Sequence, residues 1–368
     1  MMTKTPPDPV IKLTRSIADR PVYRRTFEKA DGRYLRLYGY DPHTSDEISG
    51  QSLDMQAGSE LRQHPLLGSW GIYAARRNNR TFKPDMAANP LAPSRQGMPL
   101  TEIPFGDFEL CVFENRFPGL HRSTAEPARG HAKAAKADGA CEVLVYGAEP
   151  TGSLATLGQA KRRLILEAWI DRYLALFSAG YSYVLPFENR GDEVGVTLHH
   201  PHGQIYAFPF LPEPQAKAQA AFDSGFELHT KLTGWAENYG VEEAGGMMAY
   251  VPPFARFPYE VWISARRRIS GPWEFDETES DGFAHLLGAV TARYDAMFGR
   301  QTPLMLSLQA SPGGENGSFE FTAQFYPLLR APDRVKYLAA VEQSTGVFTV
   351  DVLPEMAANA LRQSEYCL

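Results

Sequence analysis

The chain has 368 residues, of which 43% are hydrophobic and 12% aromatic, the balance of a folded globular protein with one large core or two smaller ones. Its formal net charge of −6 leaves no basic surplus to neutralise a polyphosphate backbone, which argues against nucleic acid as a partner. The three cysteines lie far apart and form no C-x-x-C pair, which argues against a disulfide framework or a thiolate zinc site and predicts a reducing, cytoplasmic location.

The first part of the chain, residues 1–60, is predicted to be an N-terminal extension that lies on the body of the protein. It is rich in charge, Pro, Asp and Ser and shows no sustained hydrophobic period. Its beginning lacks the apolar core of a signal peptide, and no stretch of the chain approaches the roughly eighteen uninterrupted apolar residues of a membrane helix. The sequence therefore predicts a protein that is neither secreted nor membrane-spanning.

From His64 onward the hydrophobic pattern predicts regular structure. Residues 108–113 and 142–146 are short β-prone runs, which predict paired strands of an antiparallel sheet. Apolar residues at helical spacing from Leu166 to Phe177, Leu174 among them, predict one face of a helix that ends at Gly180.

Two more strands are predicted after this helix. Apolar residues alternate over 181–187, which is typical of a half-buried strand, and residues 202–208 form the next strand. The polar stretch 188–197, with Gly191 and Gly195, is predicted to turn the chain between them.

The second half of the sequence repeats this order of elements. Its predicted elements are, in turn, strands at 247–251 and 259–264, a helix with apolar residues from Phe283 to Phe298, and strands at 304–308 and 319–326. The segment N-R-F-P at 115–118 is echoed by A-R-F-P at 255–258. We interpret the chain as a duplicated α+β unit with antiparallel sheets and packed helices. The closing strands read H-G-Q-I-Y at 202–206 and T-A-Q-F-Y at 322–326, so only the first copy has a histidine at that position.

The sharpest local signal is the segment H-H-P-H-G-Q, which holds three of the nine histidines. In a strand, His200, His202 and Gln204 point to the same side of the sheet. Pro201 fixes the backbone between the two histidines, and Gly203 lets a ligand approach the main chain closely.

This pattern suits nucleophilic attack by His202 on a phosphorus atom. A neutral imidazole with a pKa of about 6.5 is a competent nucleophile at neutral pH without prior deprotonation. An upstream backbone carbonyl, such as that of His200, is expected to hold its Nδ1–H and leave Nε2 free to attack. The amide of Gln204 can donate to a non-bridging phosphoryl oxygen.

Closely spaced histidines can also be metal ligands or ordinary surface residues. Imidazole suits zinc, but a closed structural zinc site needs four ligands, and no second cluster of Cys or His is present in the sequence to complete one.

The segment H-P-H-G-Q-I-Y-A, preceded by F-E-N-R-G, resembles the active-site segment of the galactose-1-phosphate uridylyltransferases, a family of the histidine-triad superfamily. Three further segments resemble the family in the same order. They are H-P-L-L-G-S-W-G-I-Y-A-A-R-R-N-N-R at 64–80, V-P-P-F-A-R-F-P-Y-E at 251–260 and A-Q-F-Y-P-L-L-R at 323–330. The resemblance covers roughly residues 64–342 and implies two histidine-triad-like domains, which we place at 61–212 and 213–368.

The resemblance implies a ping-pong transferase of galactose metabolism. UDP-glucose would uridylylate His202 and release glucose 1-phosphate, and galactose 1-phosphate would then take up the UMP. It also implies a homodimer, in which the neighbouring subunit supplies the segment that contacts the hexose.

The resemblance also assigns roles by position. His202, Gln204 and His200 are the catalytic residues, with Gln204 on the transferred phosphoryl group. The expected substrate contacts are Arg77 and Arg80 at the nucleotide phosphates, Asn115 and Phe117 at the uridine, Asn189 and Thr197 as donors to phosphate or ribose, and Lys336 and Glu342 at the hexose; Phe187, Gly195 and Gln324 are also predicted to bind substrate. Without the family context, a solvated arginine face and an ordinary turn explain the arginines and the Asn115 loop equally well.

Metal ligands of the family are mostly missing. Zinc-containing members use C-x-x-C, a later histidine and the first histidine of H-P-H, and the corresponding places here are Asn89, Ala92, about Pro150, and His200. A second, iron-type site of some members corresponds to Ala218, Gln309, Thr322 and Gln324. We therefore predict that the protein binds no metal and needs no cofactor.

Three alternatives remain open at this stage. The hexose segment K-Y-L-A-A-V-E-Q-S-T-G departs from the family pattern, so a phosphorylase acting on ADP-glucose is one alternative. A nucleotide-binding relative without turnover is the second. The third is a dinucleotide hydrolase, which the neutral amide of Gln204 disfavours because it is a poor proton donor to a leaving group.

Overall fold

The computed structural model describes residues 11–17, 20–50, 54–55, 58–79, 84–85, 88–127, 130, 133–314 and 316–368. The chain forms two compact units that are both discontinuous in sequence. The first unit comprises Met1–Thr151, Glu167–Pro186 and Thr197–Ala218, and the second comprises Gly152–Leu166, Phe187–Val196 and Gln219–Leu368. Two segments that precede residue 212, Gly152–Leu166 and Phe187–Val196, therefore cluster with the second unit, and residues 213–218 cluster with the first.

Strands predominate in the first part of the described chain, where eight of them precede the first α-helix. The helices are α1 Gln159–Ser178, α2 Glu213–Asp223, α3 Leu228–Tyr239, α4 Glu277–Phe298, α5 Ala340–Thr345 and α6 Pro354–Gln363. The strands of the first half are β1 Ile11–Ile17, β2 Arg20–Glu28, β3 Tyr34–Gly39, β4 Glu60–Gln63, β5 Trp70–Tyr73, β6 Leu110–Glu114, β7 Ala134–Lys136, β8 Ala140–Val145, β9 Tyr183–Arg190 and β10 His202–Phe208. Those of the second half are β11 Gly240–Ala244, β12 Met247–Tyr250, β13 Val261–Ala265, β14 Leu304–Gln309, β15 Thr322–Pro327, β16 Leu329–Ala331 and β17 Arg334–Val335.

No helix in the described ranges combines the length and the apolar character that a bilayer span requires.

In the first unit the main sheet has the strand order β1-β2-β3-β6-β8-β10-β9. The pairs β6/β8 and β8/β10 are antiparallel, and the first of them is the pair that the sequence predicts. One face of this sheet packs in a core that includes Leu35, Phe105, Phe113 and Val145. A smaller sheet, β5-β4-β7, also belongs to this unit.

Part of the predicted N-terminal extension lies inside this sheet. Strands β2 and β3 pair with each other, and β3 pairs with β6. These two strands are rich in charged residues, so their sequence does not show the pattern of a strand. In the fold the charges pair with acidic side chains of distant segments: Arg24 Nη1 lies 2.6 Å from Asp171 Oδ1, and Arg36 lies 3.5 Å from the buried Glu142. The expected alternation of apolar and polar residues is thereby obscured.

Helix α1 confirms the predicted helix and its end. Gly180 has φ 91°, and its N–H donates to the carbonyl of Phe177 over 2.9 Å. Trp169 and Tyr173 are fully buried, whereas Leu174, predicted on the same face, is 47% exposed. The apolar face is therefore narrower at the C-terminal end of the helix than the spacing indicates.

The second unit repeats the topology of the first. Its sheet has the order β9-β14-β15-β13-β12-β11, and α4 packs on β11 and β12. In the first unit four strands lie side by side in the order β6-β8-β10-β9, and α1 connects β8 to β9 along the chain. In the second unit four strands lie in the corresponding order β12-β13-β15-β14, and α4 connects β13 to β14. The two echoed R-F-P segments follow the first strand of each set. This shared order confirms the α+β class with antiparallel sheets and supports the predicted duplication.

Candidate active site

Strand β10 presents two of the three predicted catalytic residues, His202 and Gln204, on one face. His202 is its first residue, opposite Val145 of β8. Along the strand, half-buried residues alternate with fully buried ones, so His202, Gln204 and Tyr206 share the half-buried face. The predicted arrangement of His202 and Gln204 is therefore present.

The ring of His202 is held by the backbone two residues upstream. Its Nδ1 lies 2.7 Å from the carbonyl oxygen of His200, which is the contact the sequence predicts. Because a carbonyl only accepts hydrogen bonds, Nδ1 carries the proton and Nε2 carries the lone pair. Burial of the ring lowers the pKa of His202, more than the carbonyl contact raises it, so the neutral, nucleophilic form is favoured at neutral pH.

His200 lies just before the strand, so the alternation of β10 does not extend to it. Its ring is buried, with 2% of the residue exposed. The Nδ1 atom of the ring lies 2.9 Å from the Nδ2 of Asn89, and Nε2 lies 2.8 Å from the carbonyl oxygen of Gly147. Burial lowers the pKa of His200, which favours the neutral ring. Adjacent His199 is exposed.

Arg77 joins the strand to the loop after β6. Its Nη1 donates to the phenol oxygen of Tyr206 over 3.1 Å and to the carbonyl oxygen of Phe117 over 3.2 Å. The loop itself is tied back by Asn115, whose side chain accepts from the N–H of Phe117 over 2.8 Å. Three predicted residues, Arg77, Asn115 and Phe117, therefore lie together. Arg80, the other predicted arginine, lies outside the described residues.

Tyr206 lies beside the predicted residue Arg77 and was not itself predicted from the sequence. Burial raises its pKa to about 12, so the phenol stays neutral beside the guanidinium of Arg77. The signal that could have found it is the alternation of His202, Gln204 and Tyr206 on one face of the strand.

The remaining predicted residues near β9 have the following positions. Thr197 belongs to the first unit, whereas Phe187, Asn189 and Gly195 belong to the second. Phe187 and Asn189 pair with Ser307 and Met305 of β14, and Gly195 ends a short turn with φ 76°. Their proposed contacts with substrate stay predictions.

Of the residues predicted in the C-terminal part, Lys336 and Glu342 contact each other, whereas Gln324 contacts its own strand. Lys336 Nζ lies 3.0 Å from Glu342 Oε1, and both side chains are buried. Lys336 is the main cause that lowers the pKa of Glu342 to about 2. Gln324 donates from Nε2 to the hydroxyl of Thr322 over 2.8 Å and accepts from the hydroxyl of Tyr326.

The residues at the family's metal positions do not fit a metal. Of the zinc positions, Ala92 and the place at about Pro150 offer no ligating side chain at the matched residue, and both ring nitrogens of His200 already make hydrogen bonds. At the iron positions, Gln309 and Gln324 use their amides to bind the hydroxyls of Ser307 and Thr322. Within the part of the chain that the structure describes, no group of three or more His, Cys, Asp or Glu is arranged to hold a metal ion.

Comparison with known proteins gives consistent matches. Residues 50–212 match the family model for the N-terminal domain of galactose-1-phosphate uridyl transferase. The galactose-1-phosphate uridylyltransferase of Thermotoga maritima is 35% identical over 319 residues, which cover 83% of this chain and 98% of that protein. The enzyme of the same name from Streptomyces lividans is 32% identical over 360 residues, or 91% of this chain and 96% of that protein.

Solved structures with lower identity show the same fold. A uridylyltransferase structure superposes with a TM-score of 0.73 at 24% identity, covering 83% of this chain and 98% of that one. An ADP-glucose phosphorylase from Arabidopsis thaliana with bound ADP-glucose superposes with a TM-score of 0.62 at 19% identity, covering 83% of this chain and 99% of that one. Because the relatives from Thermotoga maritima and Streptomyces lividans are 35% and 32% identical over 83% and 91% of this chain, the chain belongs to the galactose-1-phosphate uridylyltransferase family.

Proposed function

We propose that this chain is a hexose-1-phosphate uridylyltransferase that moves UMP from UDP-glucose to galactose 1-phosphate through a covalent bond to His202. Family membership supports the reaction. The observation that carries the covalent step is the 2.7 Å contact between His202 Nδ1 and the carbonyl of His200, which fixes the tautomer with Nε2 unprotonated.

In the first half-reaction, the lone pair of Nε2 attacks the α-phosphorus of UDP-glucose. The N–P bond forms while the bond from that phosphorus to the oxygen of glucose 1-phosphate breaks, and glucose 1-phosphate leaves with the electron pair. The ring becomes a uridylylated imidazolium. Its Nδ1–H remains hydrogen-bonded to His200, and the carbonyl dipole stabilises the new positive charge.

In the second half-reaction, a phosphate oxygen of galactose 1-phosphate attacks the same phosphorus. The P–N bond breaks, its electron pair returns to Nε2, and UDP-galactose leaves. Both acceptor and leaving group are sugar phosphates, so no proton needs to be given to a poor leaving group. A neutral Gln204 on the same face as His202 suits this exchange, because its amide can bind a phosphoryl oxygen without titrating.

Positive charge for the nucleotide phosphates comes from Arg77 in this proposal. Its hydrogen bonds to the phenol of Tyr206 and to the carbonyl of Phe117 hold the guanidinium between β10 and the loop after β6, and a guanidinium suits the recognition of phosphate. The Asn115–Phe117 loop would contact the uridine. Thr197, Phe187, Asn189, Gly195 and Gln324 are proposed as further substrate contacts.

The proposed enzyme works in the cytoplasm as a homodimer without a bound metal. The segment with Lys336 and Glu342 would reach the hexose of the neighbouring subunit. The two side chains neutralise each other here, so they would act on the sugar hydroxyls as a pair.

The proposal is tested with donor labelled at the α-phosphorus. We expect UDP-glucose to give the wild-type protein an acid-labile, base-stable label, and His202→Gly to give none while it still binds UDP-glucose. Label from ADP-glucose but not from UDP-glucose would identify the phosphorylase alternative. Binding of UDP-glucose without any label would favour a relative that has lost turnover.

A further inference from the structure

We infer that Asn89 is a positioning residue for uridylyl transfer, which orients the nucleophile His202 through the ring of His200. The inference rests on the proposed function of His202. It concerns the position at which zinc-containing members of the family have a cysteine. Here the side chain is a carboxamide with one defined hydrogen-bonding arrangement.

The orientation of the Asn89 amide is fixed by the backbone. Its Oδ1 accepts from the N–H of Leu91, two residues later, over 3.0 Å. An oxygen that accepts there leaves Nδ2 to face the Nδ1 of His200 at 2.9 Å. Asn89 is 8% exposed, and Leu91 beside it is packed in the core of the first unit. The donor is therefore held in place.

This orientation determines the tautomer of His200. Because the amide nitrogen donates, the Nδ1 of His200 must accept, so the ring proton lies on Nε2. The Nε2–H donates to the carbonyl oxygen of Gly147 over 2.8 Å. Hydrogen bonds at both ring nitrogens prevent the buried ring from rotating about its side-chain bonds.

A fixed ring in turn fixes the backbone carbonyl of the same residue. Pro201 restricts the backbone on the far side, and its own carbonyl accepts from the N–H of Tyr146 over 3.1 Å. The carbonyl of His200 therefore lies between two restrained groups, its own ring and Pro201, and accepts a hydrogen bond from the Nδ1–H of His202. The chain of contacts runs from the Asn89 amide to the nucleophile through one ring and one carbonyl.

In a relative that has the full set of zinc ligands, the metal would hold the histidine ring that corresponds to His200. The carboxamide fits this chain better, since Ala92 and the place at about Pro150 cannot complete a metal site and the lone pair on the Nδ1 of His200 is taken by Asn89. The ordering of His200 is therefore assigned to hydrogen bonds of this chain's own residues.

The test compares Asn89→Leu with Ser94→Ala. Leucine keeps the branched shape of asparagine but removes both the donor to His200 and the acceptor for the N–H of Leu91. Ser94 is also buried in the segment between β5 and β6, where its hydroxyl donates to the carbonyl of Ile103 over 2.8 Å, and it makes no contact with His200 among its known hydrogen bonds. Ser94→Ala therefore serves as the matched control, because it removes a buried hydrogen bond from the same segment without touching His200. Asn89→Ser is the reserve variant, because serine keeps an oxygen for the N–H of Leu91 but is too short to reach His200.

Single-turnover uridylylation by UDP-glucose, donor affinity and thermal stability are measured for each protein. We expect the rate constant of Asn89→Leu to fall about 10-fold or more with donor affinity unchanged, as for other partners that orient an active histidine. Ser94→Ala should lose stability without losing rate. Nitrogen-15 NMR of the imidazoles should show the Nδ1–H tautomer of His202 in the wild type and a mixture in Asn89→Leu.

The outcomes separate the two proposals. A folded Asn89→Leu, or Asn89→Ser if the former does not fold, with the wild-type rate and the wild-type tautomer of His202 would overturn the role of Asn89 alone. A wild-type protein that takes no label from UDP-glucose would overturn the proposed function, and this inference with it.

Discussion

Arg77 and Tyr206 are joined by a hydrogen bond of 3.1 Å from the guanidinium Nη1 to the phenol oxygen. Tyr206 stands four residues after His202 on the same face of β10, roughly 13 Å along the strand. The contact places the guanidinium of Arg77 beside a residue on the same face of β10 as the nucleophile. In the proposed enzyme, the charge of Arg77 receives the nucleotide phosphates while His202 attacks.

Tyr206→Phe is therefore expected to weaken substrate binding more than it slows chemistry. Loss of one hydrogen bond of about 1 kcal/mol loosens the Arg77 side chain, which keeps its bond to the carbonyl of Phe117, and should raise the KM for UDP-glucose about fivefold, with kcat little changed. Tyr181→Phe is the control, since its hydroxyl donates to the carbonyl of Gly139 over 3.1 Å and does not contact Arg77. Equal KM values for the two variants would remove Tyr206 from the site.

Replacement of Gln204 tests the neutral amide beside the nucleophile. Gln204→Glu keeps the shape but places a carboxylate against the phosphoryl oxygens, and the rate of uridylylation is expected to drop at least about 100-fold. Gln204→Leu removes the donor without adding charge and should lose less. If Gln204→Glu reacts as fast as Gln204→Leu, repulsion of the phosphate is not the cause, and the assigned role of Gln204 fails.

The pH dependence of the first half-reaction reports on His202. Burial lowers the pKa of the ring below its ordinary value of about 6.5, and only the neutral form has a lone pair for attack. The single-turnover rate should therefore be flat from alkaline pH down to about 6.5 and fall at lower pH. UDP-glucose has no phosphate group that titrates in this range, so the profile belongs to the protein. A midpoint above the ordinary value would show that the environment stabilises the charged ring instead.

Metal removal is predicted to leave the enzyme intact. Both ring nitrogens of His200 are occupied by Asn89 and Gly147, so the ring does not need an ion to hold it. Dialysis against EDTA should change neither the rate of label transfer nor the melting temperature, and elemental analysis should find less than one zinc or iron per chain. A stoichiometric metal whose removal abolishes transfer would show that the hydrogen bonds do not suffice.

Much of the central fold was predictable because its signals are local. The alternation from His202 to Phe208 gives β10 with its observed bounds, and Gly180 marks the end of α1. The contact between His202 and the carbonyl of His200 joins residues two apart, so the tautomer could also be predicted.

The parts that could not be predicted depend on distant partners. Strands β2 and β3 carry arginines whose charge is balanced by Asp171 and Glu142, more than a hundred residues away, so a sheet element resembles a polar extension. The contact of Asn89 with His200 spans 111 residues, and that of Arg77 with Tyr206 spans 129. No local period encodes such pairs, and only the folded chain brings them together.

The most direct test of the account locates the nucleotide on the protein. The wild-type chain is incubated with UDP-glucose without acceptor, digested at alkaline pH and analysed by mass spectrometry. We predict one uridylyl group per chain on the peptide that contains His202, attached to its Nε2, and its disappearance when galactose 1-phosphate is added. Uridylyl transfer that proceeds without any modified His202, or a modification at another residue, would contradict the account.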